Sequence, residues 1–86
     1  MTKADPKLMA KIREALTNSF PDANLNVGPG YFDNIHIIVT SRKFEGKSNV
    51  ERQEIVWSAV DSIGLDDAEK AHISMILPQT PEEFAA

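Results

Sequence analysis

The chain has 86 residues, 9.5 kDa of mass and a formal charge of −4, enough for one core across residues 1–86 and no second domain. It has no cysteine, which excludes a disulfide scaffold, a Cys-rich zinc site and a thiol nucleophile. An acidic chain is also a poor sequence-independent binder of phosphate backbones, and no apolar stretch approaches the roughly 20 residues that span a bilayer.

The opening Met1-Thr2-Lys3-Ala4-Asp5-Pro6 lacks the apolar core of a secretory signal, so the expected address is the cytoplasm. Asp5 as N-cap and Pro6 at the first helical position then start a helix. Leu8, Ile12, Ala15, Leu16 and Phe20 recur at helical spacing until Pro21-Asp22 ends the run. Ala23 to Val27 reads as a short strand with Leu25 and Val27 on one face. Gly28-Pro29-Gly30 reads as a turn, and Asn34 to Ser41 as a second strand, joined to the first by a hairpin across residues 28–33.

Phe44-Glu45-Gly46-Lys47 is a turn leading to Ser48, which with Glu51 forms a capping box. The following helix is expected to bury Val50, Ile55, Val56, Ala59, Val60 and Ile63 and to stop at Gly64. Trp57 reads as a packing residue. Asp66 to Lys70 is a short helical turn; its acidic residues, Asp66, Asp67 and Glu69, suit a helix start. Ala71 to Leu77 is a third strand that Pro78 breaks, and Thr80-Pro81-Glu82-Glu83 caps a last short helix. In that strand Ile73, Met75 and Leu77 alternate with Ser74 and Ile76, so neither face is polar. Either both faces are covered, or one is an apolar surface for a partner or a second copy.

The order α-β-β-α-(α)-β-α predicts an α+β domain: a three-stranded mixed sheet with helices packed on one face. No catalytic constellation is present: there are two histidines, no phosphate-binding glycine loop and no metal-hydrolase spacing. A non-enzyme is expected.

Two segments carry a family resemblance. Phe44-Glu45-Gly46-Lys47-Ser48, with Arg52 four residues past the serine, resembles the Phe-x-Gly-x-Ser…Arg signature of the BolA-like family. Ala71-His72-Ile73-Ser74-Met75, followed by Thr80-Pro81-Glu82-Glu83, is similar to that family's C-terminal strand and its sequel. The resemblance implies a fold of the class II KH type. It also implies a monothiol glutaredoxin partner with which a [2Fe–2S] cluster is shared, in iron–sulfur or iron homeostasis, redox regulation or stress response. No cluster is expected on the isolated chain, which would be a monomer or homodimer. Glutaredoxin and glutathione can supply thiolates and this chain an imidazole, a substitution that alters charge and potential as in Rieske-type centres.

On that resemblance His72 is the expected ligand. The second ligand of many members, a His or Cys between the first two strands, has no counterpart in residues 28–34, which leaves Asp33 and His36 as candidates. Gln53 stands where the family often has His. The alternative is a DNA-binding transcriptional regulator using the turn and helix at residues 42–60, with Arg42, Lys43, Phe44, Gly46, Lys47, Ser48 and Arg52 at the partner or nucleic-acid contact. Gly46, Ser48 and Phe44 have a purely architectural reading beside it, as turn, cap and core anchor. That segment lacks the Gly-x-x-Gly loop by which KH domains clamp nucleic acid. The two functions are compatible, with cluster occupancy able to compete with another partner for one surface.

Overall fold

The structure, a computed structural model, describes residues 6–29 and 34–85. The Asp5 cap, Gly30, Tyr31 and Asp33 lie outside them. Helix α1 (Pro6–Ser19) is followed by strands β1 (Asn24–Pro29) and β2 (Ile35–Thr40). A 3-10 turn (Arg42–Phe44) leads into α2 (Asn49–Asp61), and α3 (Asp67–Ala71), β3 (Ile73–Gln79) and α4 (Pro81–Ala85) complete the order. The sheet runs β1-β2-β3, antiparallel between β1 and β2 and parallel between β2 and β3.

Period-two alternation decides which side of the sheet is buried. Ile35, Ile37 and Val39 are fully enclosed beneath Leu8, Ile12 and Leu16 of α1 and Val56 and Val60 of α2. His36, Ile38 and Thr40 point to the other side, which α1 and α2 leave open. In β3 the strict alternation expected from the sequence fails at its start. Ile35 pairs with Ile73 but His36 pairs with Met75, so Ser74 is an extra residue and the pleat shifts there. Ile73 and Ile76 therefore face the core, while Met75 and Leu77 are 38% and 43% exposed on the open side.

Three expectations are corrected. Gly28 and Pro29 belong to β1, paired with His36 and Ile35, because an edge strand tolerates proline at its end. Pro78 likewise continues β3 rather than breaking it. Gln79 O accepts from Ser41 N at 2.9 Å, so by alternation Pro78 turns its backbone nitrogen away from β2, where no donor is needed. Val50 is 69% exposed. The buried stripe of α2 runs through Arg52, Val56, Ala59 and Val60, and a residue two positions before Arg52 falls on nearly the opposite side at 3.6 residues per turn.

Other expectations hold. Ser48 and Glu51 form the expected reciprocal capping box, and the acidic start of α3 proves to hold another, between Asp66 and Glu69. Trp57 packs on the core. Gly64, beyond the end of α2, has φ 71° and open space where a Cβ would lie. Gly64→Ala is accordingly expected to cost about 1–2 kcal/mol through the left-handed backbone alone, read as a lowered thermal midpoint. An unchanged midpoint would contradict this.

Candidate functional site

The sequence-predicted residues separate into two groups at opposite ends of the sheet. β2 and β3 are parallel, so both begin at one end and finish at the other, roughly 17 Å apart for six residues at the usual strand rise.

At the starting end stand the two histidines. His72 is the C-cap of α3 and is only partly buried. Its N–H donates to Glu69 O at 3.2 Å, and its carbonyl accepts from Ile35 N at 2.6 Å. Both bonds are main-chain, so position 72 is fixed without use of the imidazole. The Asp66–Glu69 box starts α3, and Lys70 Nζ reaches Asp61 Oδ1 at 2.8 Å, fastening α3 to the end of α2. The carboxylate of Asp61 holds the Lys70 ammonium above its usual range. His36, partly buried, is the neighbour of Ile35 and sits on the open face between Gly28 and Met75. Both histidines thus belong to the same end of the sheet, His72 joined through its carbonyl to Ile35, the residue before His36. Among the described residues no three His, Cys, Asp or Glu gather into a metal-holding group.

At the finishing end the turn after β2 is clipped to the end of α1. Ser41, 1% exposed, donates its hydroxyl to the Asp22 carboxylate at 3.1–3.2 Å and accepts from Lys43 N at 3.1 Å. Lys43 Nζ donates to Ser19 O at 2.7 Å and lies 5.5 Å from the Phe20 ring centre, placing a cation on the last carbonyls of a helix. Phe44 is fully buried, 5.4 Å from Phe20 between ring centres. Gly46 has φ 73°, which glycine adopts without steric cost. Arg42 and Lys47 are exposed.

Arg52 sits at the centre of this end and is 9% exposed. It contacts neither Glu45 nor Glu51. Its Nε donates to Lys47 O at 3.0 Å and its Nη1 to Glu83 Oε1 at 2.7 Å. Glu83 also accepts from Thr80 N at 2.8 Å, while Thr80 Oγ1 accepts from Glu83 N at 3.2 Å. The two sequence motifs, 31 residues apart between Arg52 and Glu83, therefore meet in one charged, capped junction that seats α4. Gln53, beside Arg52, donates to Ile76 O at 2.8 Å. The Glu83 partnership and the Ser41–Asp22 contact are not predicted from sequence, because both join segments distant in the chain.

The Arg52 guanidinium, then the Thr80 N–H, hold the Glu83 carboxyl below its ordinary value of 4.5, and Ser48 does the same for Glu51. A depressed folded-state pKa contributes stability that is complete above the unfolded value and disappears as pH falls through the folded one. Glu83→Gln should therefore be less stable than the parent at neutral pH, and the two should converge well below 4.5. Denaturant unfolding at several pH values checks this, and a gap that persists in acid would contradict it.

No protein-family model matches the sequence, and no curated protein does. The fold does have counterparts among solved structures. The chain is similar to BolA1 from Mus musculus (TM-score 0.69, 20% identity, 99% of this chain and 74% of that one). It is also similar to BolA1 from Arabidopsis thaliana (TM-score 0.67, 19% identity, 88% and 94%). A third likeness is to the BolA domain of SufE1 from Arabidopsis thaliana (TM-score 0.65, 24% identity, 92% and 96%). The chain is a small α+β protein with the BolA fold. That is the fold that the motif resemblance implies.

Proposed function

We propose that this chain is a non-catalytic, cytoplasmic partner of a monothiol glutaredoxin, sharing a [2Fe–2S] cluster with it in iron–sulfur or redox homeostasis. The observation that carries the reading is His72: a partly exposed imidazole at a sheet end, at a position whose backbone is fixed without that ring. A buried ring would have removed the proposal. The donor set fits a shared group and not a resident one. The chain has no cysteine, and its described residues offer no three-ligand cluster, so thiolates must come from the partner and its glutathione. When bound, such a cluster supplies one-electron chemistry tuned by its ligands. This chain's contribution is an imidazole at position 72, with His36 at the same sheet end, and Asp33 from the sequence alone, as candidates for a second ligand.

The test is anaerobic mixing of this chain with a monothiol glutaredoxin, iron, sulfide and glutathione. A heterodimer whose visible absorption differs from that of the glutaredoxin alone is expected. A spectrum unchanged by this chain, with no co-elution, would end the reading.

DNA regulation ranks second. Of the four basic residues in its proposed contact, Lys43 holds Ser19 O and Arg52 holds Glu83, which leaves Arg42 and Lys47 facing solvent on a chain of net charge −4. That segment also lies at the sheet end opposite His72, so the two readings draw on separate surfaces.

A further inference from the structure

The open face of the sheet carries a second feature, separate from the histidine end. All three strands lack Asp, Glu, Lys and Arg, so this face is uncharged apart from any proton on His36. The register places Asn24, Thr40 and Gln79 in one row across the sheet, and Asn26, Ile38 and Leu77 in the next. Gln79 Nε2 donates to Thr40 Oγ1 at 3.1 Å, which fixes that carboxamide and leaves its carbonyl oxygen for another donor. Within the described residues the Asn24 and Asn26 carboxamides have no hydrogen-bond partner. Asn24, Thr40 and Gln79 of the first row, Asn26 and Ile38 of the second, and Phe84 of α4 line a cleft of ≈ 240 Å³. Phe84 is 63% exposed, so its ring is available to a ligand and is not spent on the core.

These surfaces select a ligand by chemistry. A row of carboxamides and a hydroxyl presents both donors and acceptors. The adjacent row offers the apolar Ile38, and Phe84 offers an aromatic ring. No charged side chain lines the cleft, so nothing there compensates an ionic ligand for lost water. A flat, neutral, heteroaromatic ring with hydrogen-bonding groups along its edge satisfies all of these at once.

We propose that the cleft beneath Phe84 binds a nucleobase, its edge on the Asn24–Thr40–Gln79 row and its ring against Phe84. Such a base can arrive as a free nucleoside or within a single strand. Glu82, exposed beside Glu83 in α4, disfavours a nearby phosphate, which favours the nucleoside. The proposal is independent of the glutaredoxin reading, because Phe84 and this row lie at the end of the sheet remote from His72.

The test is titration of the full-length protein, followed by amide NMR, with adenosine, guanosine, cytidine and uridine in turn, then with the corresponding monophosphates and a short mixed single-stranded oligonucleotide. Saturable shifts of the Asn24, Asn26 and Gln79 side-chain amides by at least one nucleoside are expected, with weaker binding of its monophosphate. Phe84→Ala should weaken binding by about 5-fold or more, and Asn24→Leu should weaken it with the fold intact, since both residues are exposed. An oligonucleotide that shifts the same amides more tightly than the nucleoside would support the site and identify a strand as the source. Absence of saturable shifts up to the solubility limit of all four nucleosides overturns the proposal. So do affinities that neither substitution alters.

Discussion

Phe44→Ala is expected to lower the unfolding free energy by about 3–5 kcal/mol, the usual range for truncating a fully buried phenylalanine. Phe44 is the largest of the side chains with essentially no exposed surface, and it anchors more than its own volume. Its ring meets Phe20 at the end of α1, and the residues on either side of it are clipped to Ser19 and Asp22 or lead into the Gly46 turn. Truncation opens a cavity where α1, β2 and the approach to α2 converge. Small domains have about 5–15 kcal/mol of stability in total, and one of 86 residues lies toward the lower end, so this variant should retain little. Urea unfolding followed by circular dichroism measures the effect, with Phe44→Leu expected to lose far less. A loss under about 1 kcal/mol would mean the site collapses around the gap, contrary to the packing described.

The largest functional effect is expected at His72. In the anaerobic mixture with glutaredoxin, His72→Ala should change the visible spectrum of the heterodimer or shorten the life of its chromophore, because replacing an imidazole by another ligand alters both charge and potential. The substitution is clean. The hydrogen bonds at position 72 are made by its main chain, so the apo variant should melt as the parent does. His36→Ala is the companion: a second spectral change would make it the other ligand, and no change would leave Asp33 or an external donor. An unaltered spectrum in His72→Ala would remove this residue from the shared site.

How much of this was legible in advance depends on the range of the interaction involved. Local signals translated directly. Ser48 with Glu51, Asp66 with Glu69 and Thr80 with Glu83 are capping boxes written within four residues of sequence, and glycine at positions 46 and 64 marked backbone with positive φ. The long-range facts were not legible. Nothing local marks Arg52 for burial, since arginine is seldom enclosed without a partner, and its enclosure is explained by Glu83, which α4 brings to it. Alternation alone left the core face of β3 open, and the core positions Ile73 and Ile76 follow from the extra residue Ser74, a bulge that leaves no mark on composition. Of the candidate site, the partial exposure of His72 agrees with what a ligand requires. The separation of His72 from the Arg42–Arg52 segment followed only from the parallel pairing of β2 with β3.

The outer margin of β3 has a further consequence. Pro78 has no N–H to offer there, and the nearest outward acceptor before it, Ile76 O, is already engaged by Gln53. An incoming backbone would find a missing donor and an occupied acceptor at neighbouring positions of the ladder. Such interruptions are how natural sheets avoid edge-to-edge polymerisation. On this margin the chain can therefore keep an apolar, uncharged sheet surface in contact with water without offering β3 as a template on which a further strand could stack.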